Sequence, residues 1–255
     1  MEKLSDAHIH VGQFNDIYTS PQEVVAFMQQ AGVEKYVVMS TTIWKEDYEK
    51  VLHEMRELVT LAPQNVLPAL WLTPQMLLDE KLEYMLHSGI TWRALKVHGN
   101  HPWSLNGVNE CALIAEELRL PLIIHTGDFP HCEAGVYKEI VKSHPNTTFV
   151  LAHCRPVDQA IEVMKECSNC YGDTAYTPFP EVAKLIETGL EDRILFGTDY
   201  PLQKIHAPEK DLLEDYKNTI HDIWKVMTDE QWEKVSHINF EKLYNLFDRY
   251  HERDT

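Results

Sequence analysis

The feature that most constrains this chain is a repeated switch in the period of its apolar residues. Eight short runs rich in β-formers stand at about 4–10, 34–41, 66–73, 92–98, 121–126, 147–153, 170–176 and 193–199. Between them lie stretches with apolar residues at i, i+3 and i+4, the spacing of one helix face. These are Pro21 to Ala31, Lys45 to Leu61, Gln75 to Leu86, Val108 to Leu118, Val136 to Ser143, Val157 to Glu166 and Glu181 to Glu187. Helix stop signals follow at Ala31-Gly32, His87-Ser88-Gly89 and Thr188-Gly189. Strict strand–helix alternation predicts a parallel sheet, and eight such units predict its closure into a (β/α)8 TIM barrel of the α/β class. From about 211 the chain reads as extra C-terminal helices, with Trp224, Val226, Trp232 and Leu246 as packing anchors. With no Ser/Gly linker, low-complexity tract or repeat, residues 1–255 read as one domain.

Composition narrows the partners. A chain of 255 residues with 44% hydrophobic content buries a large core without staples. Forty acidic against 23 basic residues give a formal charge of −17, which repels phosphate backbones and anionic lipid. Neither nucleic acid nor a membrane is an expected partner. No apolar run reaches the length of a membrane helix, and the start Met1-Glu2-Lys3-Leu4-Ser5-Asp6 lacks a signal-peptide core. Five scattered cysteines, an odd count, fit a reducing cytoplasm better than a disulfide framework. Cys167-Ser-Asn-Cys170 has metal or redox spacing, but without a second pair a structural role is favoured.

Five of the strand-like runs end in a metal-binding or acidic side chain: Asp6-Ala-His8-Ile-His10, Lys96-Val-His98, Ile123-Ile-His125, Leu151-Ala-His153 and Phe196-Gly-Thr-Asp199. In a closed parallel barrel the C-terminal strand ends form one rim, where active sites of this fold sit. The polar residues stand at the ends of their runs, the side the chemistry requires. Gathered there, three or four imidazoles and a carboxylate make a ligand set for a divalent transition metal with a base beside it. Alternation along a strand puts His8, His10 and Asp6 on one face, so two imidazoles can grip one ion. It likewise groups Ala94, Lys96 and His98, and Leu195, Gly197 and Asp199, with Gly197 leaving space below the metal. Each residue has a bland alternative. An isolated His-x-His arises by chance among 14 histidines. His125 and His153 read equally as hydrogen-bonded core residues, and Asp199 as a helix N-cap. Together, at matching rim positions, the functional reading prevails.

Lys96 inside a barrel is costly unless paired or modified. Its candidate roles, in order, are a salt bridge to an inward acid, binding a substrate carboxylate, and a carbamate bridging two metals. His98 is a candidate for substrate contact or for orienting a ligand. Arg155 shares the face of His153 and is a candidate for holding an anionic substrate group. Trp44, Trp71 and Trp103 fall at or just after strand ends; aromatic core filling is the default for them, and one or more are candidates for the pocket wall, with Trp44 named for substrate contact. His53, His87, His144, His221, His237 and His251 read as solvated helix positions.

Taken together, Asp6-Ala-His-Ile-His10, Lys96-Val-His98, His125-Thr-Gly127, Ala152-His153 and Phe196-Gly-Thr-Asp199-Tyr-Pro201 resemble the amidohydrolase superfamily. They are most similar to its amidohydrolase 2, or amidohydrolase-related, branch, which includes the 2-amino-3-carboxymuconate-6-semialdehyde decarboxylase type. The likeness spans the chain, down to Asn239-Phe-Glu-Lys-Leu243, which resembles the family's closing helix. The resemblance implies a (β/α)8 barrel with one divalent metal, usually zinc, with Mn2+, Fe2+, Co2+ or Ni2+ as alternatives. It implies His8, His10, His125 and Asp199 as ligands, with His153 beside the metal. A second metal on a carbamylated Lys96 is the less favoured arrangement. Ala152-His-Cys-Arg-Pro156 departs from the Gly-rich turn common after this histidine, which leaves open what binds there.

The expected function is metal-dependent hydrolysis of a small amide, lactone or related carbonyl compound through a metal-activated water. Asp199 would carry the proton, and His153 would bind the water or polarise the carbonyl. Lys96, His98, Arg155 and Trp44 would hold the substrate. The alternative is nonoxidative decarboxylation of a small aromatic or unsaturated carboxylate at the same metal. A barrel that kept the metal but lost catalysis is opposed by the complete ligand set. A deoxyribonuclease is opposed by the charge and by the lack of an extra Glu ligand. A homo-oligomer is compatible with the sequence.

Overall fold

The fold follows from how the eight apolar runs pair. The structure, a computed structural model, describes residues 3–244 except 80, 100 and 102. Its strands are β1 (Ser5–Phe14), β2 (Ile17–Thr19), β3 (Lys35–Ser40), β4 (Val66–Trp71), β5 (Ala94–Val97), β6 (Leu122–His125), β7 (Phe149–Ala152), β8 (Cys170–Asp173) and β9 (Ile194–Leu195). They form one sheet in the order β2-β1-β3-β4-β5-β6-β7-β8-β9, parallel throughout except for β2. The sheet closes on itself where β1 meets the chain after β9. There the Ala7 amide donates to the Phe196 carbonyl at 2.8 Å, the Asp199 amide to the His8 carbonyl at 2.8 Å, and the His10 amide to the Tyr200 carbonyl at 2.6 Å. The eight predicted strands are therefore the eight barrel strands. β2, the return strand of a hairpin with β1, is the addition.

Helices connect successive strands: α1 (Pro21–Ala31), α2 (Tyr48–Leu61), α3 (Pro74–Leu78), α4 (Lys81–Leu86), α5 (Leu105–Leu118), α6 (Lys138–Ser143), α7 (Val157–Glu166) and α8 (Phe179–Glu187). α1 shows why the ends fall where they do. Ser20 and Glu23 form a reciprocal capping box, Pro21 sits where its missing N–H is no loss, and Gly32 closes the helix at φ 76°. The stretch from Gln75 to Leu86 is two short helices rather than one.

The C-terminal part adds α9 (Gln203–His206), α10 (Leu212–Trp224) and α11 (Asp229–Glu233). Tyr216 and Ile223 of α10 and Trp232 of α11 are buried, and Val226 packs against the core. Trp224 is 40% exposed and stacks on His221 of its own helix instead of packing into the core, contrary to expectation. Helical neighbours lie about 100° apart, so with Ile223 inward Trp224 falls at the edge of the stripe. Leu246 and His251 lie outside the described residues. Asn239 is wholly buried and donates from Nδ2 to the carbonyls of Glu191 and Ile194, tying the tail to the start of β9. All five cysteines are free and buried, Cys167 and Cys170 included. Among the described residues no helix is long and apolar enough to cross a membrane.

Candidate metal centre

The barrel rim gathers the residues singled out from sequence. His8 and His10 rise from β1, and Asp199 follows β9 on the other side of the barrel seam. Asp199 Oδ1 lies 3.2 Å from His8 Nε2 and 2.8 Å from His10 Nε2, with all three residues buried. Gly197 makes this approach possible, since a Cβ there would stand 3.1 Å from the Cβ of His8. Asp199 has φ 63°, and His153 and Cys154 also have positive φ, at 70° and 47°. Non-glycine residues in this region are strained and concentrate at functional sites.

Asp6 does not share the face of His8 and His10. A bulge in β1 between Asp6 and Ile9 breaks the alternation. Asp6 instead accepts from Thr198 Oγ1 at 2.6 Å, Tyr216 Oη at 2.8 Å and the His8 amide at 2.9 Å. Burial pushes its carboxyl up to about 6 against these bonds. Asp6 fastens the barrel seam to α10.

Asp173, at the end of β8, was not singled out from sequence. It is wholly buried and accepts from His8 Nδ1 at 2.8 Å, the His153 amide at 2.8 Å and the Ala175 amide at 3.1 Å. A carboxylate held by two backbone donors fixes the partner imidazole as a donor too, so His8 carries a proton on Nδ1 and turns Nε2 towards Asp199. A second missed acid, Asp128, has the same relation to His125. Its Oδ2 is 2.8 Å from His125 Nε2, and its Oδ1 accepts from Arg155 Nη1 at 3.1 Å. The buried His125 Nδ1 is left without a partner, as is His10 Nδ1. Asp128 sat in view two residues past His125-Thr126. Asp173 obeyed the same strand-end rule as the five chosen segments.

The remaining candidates fall around this core. The His125 ring is 4.6 Å from that of His153 and stacks at 3.7 Å on His98, which stacks in turn on Trp71 at 5.1 Å. The His125 nitrogens do not join the close cluster of His8, His10 and Asp199. His153 donates from Nδ1 to the Ala175 carbonyl at 2.8 Å. A cavity of about 530 Å3 opens over these rings. His98, His153, Arg155 and Trp71 line it, with Phe14 and Tyr176 on its walls. Trp44 does not line it. Trp44 stands behind, edge-on to Trp71 and His98 and stacked on His101 at 4.3 Å, so Trp71 supplies the indole wall. Lys96 also lies outside the lining, wholly buried, with Nζ making no hydrogen bond. His144, expected on a solvated face, is buried and bonded to Asn109 Oδ1 at 2.8 Å.

The charge states suit a cation. Burial lowers the pKa of His10 and takes His98 and His153 well below the usual imidazole value; it takes His125 to about 4. Burial opposes ionisation of Asp199, but His8, His10 and His153 outweigh it and hold the carboxyl well below its usual range. Burial also brings Lys96 down to about 8, against the pull of Asp173 and Asp199. Positive charge on the facing imidazoles thus holds Asp199 ionised, a role that a bound cation would take over as the imidazoles give up their protons.

The sequence matches the amidohydrolase family profile over residues 5–246. The chain belongs to that family. No curated protein matches this amidohydrolase. Among solved structures it is similar to a TIM-barrel protein from Bordetella bronchiseptica (16% identity, 96% of this chain and 99% of that one, TM-score 0.70). It is also similar to a probable 2-pyrone-4,6-dicarboxylic acid hydrolase from Acinetobacter baumannii (11% identity, 95% and 99%, TM-score 0.71). A third is 4-oxalomesaconate hydratase from Rhodopseudomonas palustris (16% identity, 98% and 98%, TM-score 0.64). At these identities the likeness shows the shared barrel. Within the amidohydrolase the His/Asp cluster is a set that a metal ion fits.

Proposed function

We propose that this amidohydrolase hydrolyses a small amide, lactone or related carbonyl compound at one divalent metal, zinc by preference. One observation carries the reading. Asp173 fixes the proton of His8 on Nδ1, so His8 Nε2 meets the carboxylate oxygen of Asp199 at 3.2 Å, with His10 Nε2 at 2.8 Å from the same oxygen. His8 Nε2, His10 Nε2 and the Asp199 carboxylate thus converge in a buried site, a set that a divalent cation fits. His8, His10 and Asp199 would hold the ion, and His125 would complete the set through the buried Nδ1 that lacks a partner. When bound, a divalent ion supplies a Lewis acid that polarises a carbonyl and brings the pKa of water towards neutrality.

The chain's own groups then move the proton. Asp199 is anionic and faces the cavity, so it accepts a proton from the attacking water and returns it to the leaving group. His153 donates its Nδ1 proton to the Ala175 carbonyl, which leaves Nε2 as an acceptor in the neutral ring. That tautomer favours holding the water over polarising the substrate carbonyl. Arg155 at the cavity wall binds an anionic substituent of the substrate, while Trp71 and His98 give a planar wall for an unsaturated one.

Arg155 also favours a second reading, nonoxidative decarboxylation of a small aromatic or unsaturated carboxylate at the same centre. The test is elemental analysis of purified protein, followed by a panel of amides, lactones and aromatic carboxylates with CO2 detection. Hydrolysis consumes water without CO2, and decarboxylation releases CO2. A folded preparation that takes up no divalent ion overturns both.

A further inference from the structure

The inner cavity has a neighbour. A second pocket of about 320 Å3 shares Asp128 and Arg155 with it. The ion pair between these two residues, at 3.1 Å, is therefore a partition with a hollow on either side. Its construction is specific. Gly127, at φ 93°, lets the Arg155 side chain lie flat against the backbone, since a Cβ there would stand 2.7 Å from the Cβ of Arg155. The pair is partly exposed, 40% at Asp128 and 29% at Arg155, so solvent screens it and it holds weakly.

The walls of the outer pocket state what it takes. Phe129, 48% exposed, and Pro130, Pro156 and Pro178 make its apolar surface. Prolines carry no backbone N–H, so three wall positions offer no amide donor to an anion. Glu133 and Glu181 stand at the same pocket and repel a carboxylate. We infer that the outer pocket is the subsite for the distal part of the substrate, and that this part is neutral and apolar, an aryl or branched alkyl group. The anionic substituent stays with Arg155, the reacting carbonyl lies inward, and the tail crosses the partition onto Phe129. This rests on the metal-centred reading of the inner cavity. It adds a specificity that reading lacks: one charged end, with an apolar tail in place of a second carboxylate.

The test is calorimetric titration of zinc-loaded protein with hydroxamates, which carry a metal-binding head on a variable tail. Acetohydroxamate gives the head alone, a phenyl series with one to four methylenes adds an apolar tail, and a carboxylate-terminated series adds a charged one. One phenyl length is expected to bind about tenfold or more tighter than acetohydroxamate, the gain from burying part of a ring. The carboxylate series is expected to gain only at the length that brings its charge to Arg155, and to lose that gain in longer members that carry the charge onto Phe129. In Phe129→Ala the ratio of phenyl compound to acetohydroxamate is expected to fall at least fivefold. A flat phenyl series, a gain that survives in Phe129→Ala, or a carboxylate gain that persists at the lengths reaching Phe129 overturns the subsite. If acetohydroxamate binds zinc-loaded and metal-free protein alike, the metal reading fails. A Phe129-dependent phenyl gain in that case still upholds the outer pocket.

Discussion

Replacing Asp173 with asparagine isolates the group that sets the state of His8. In the wild type Asp173 Oδ1 accepts from the amides of His153 and Ala175, and Oδ2 accepts from His8 Nδ1. Asparagine keeps its oxygen on the two amides and puts an NH2 in place of Oδ2. A donor then faces His8 Nδ1, so that nitrogen has to accept and the ring proton moves to Nε2. Nε2 is the nitrogen that points at Asp199, and a protonated nitrogen cannot ligate. Keeping the original tautomer instead leaves two donors facing each other in a wholly buried site. Either outcome weakens metal binding by about 10- to 100-fold, roughly 1.4–2.7 kcal/mol, the range found for carboxylates behind metal-bound histidines. The assay is competition for Zn2+ with a chromophoric chelator, with circular dichroism to confirm the fold. A folded Asp173→Asn protein that binds zinc within twofold of wild type is incompatible with His8 Nε2 as a ligand in the Nδ1-protonated tautomer.

Three further outcomes are expected. Zinc at a hundredfold its Kd stabilises the folded state by about 2.7 kcal/mol, or about 5–10 °C in thermal midpoint for a chain of this size. A chelator removes that shift, and a midpoint indifferent to both speaks against a metal site. Asp199→Asn is expected to retain metal through the histidines and lose about 10²- to 10⁴-fold in turnover; activity equal to wild type rules out its proton-transfer role. Lys96 is wholly buried with its amine pushed down to about 8. Its folded pKa lies below the unfolded one, so the unfolded chain binds the extra proton between about pH 8 and 10.5, and stability rises with pH across that window. Below it Lys96 destabilises the metal-free fold, by about 3 kcal/mol at 1.36 kcal/mol per pH unit. Lys96→Met is therefore more stable than wild type in denaturant melts at pH 7.5, with a smaller gap at pH 9.5; a constant gap refutes the burial argument.

The barrel was legible because its signal is repeated. Each strand is an apolar run that a helix cannot use, and each helix shows a stripe that a strand cannot use. The ends of α1 and α7 were readable to the residue, since Pro21 and Gly32 bound the first and Pro156 precedes the second. What escaped was short or local. β2 spans three residues, too few to show a period. The bulge at Asp6 turned the acid of the first motif away from the site, because strict alternation holds only while the register does. Trp224 failed because apolar character alone does not say which side of a helix a residue takes.

At the site, the rim residues were easier to read from sequence than the groups that set their protonation. His153 and Asp199 follow the ends of β7 and β9, as the sequence indicates, whereas His8 and His10 lie inside β1, which runs on to Phe14 as an arm of the hairpin with β2. The tautomer of His8 depends on Asp173, 165 positions away, and the lone nitrogen of His125 on Asp128 in a loop that spacing does not describe. Both acids lay in plain sight as residue types, yet nothing in their own segments says which imidazole nitrogen they face. That relation exists only once β8 lies beside β7 and the barrel closes on β1. A strand end predicts that a histidine reaches the rim. Whether it arrives with an electron pair or a proton is decided by a neighbour in space, so variants of Asp173 and Asp128 test the metal centre more sharply than removal of a ligand, which disables the site under any reading.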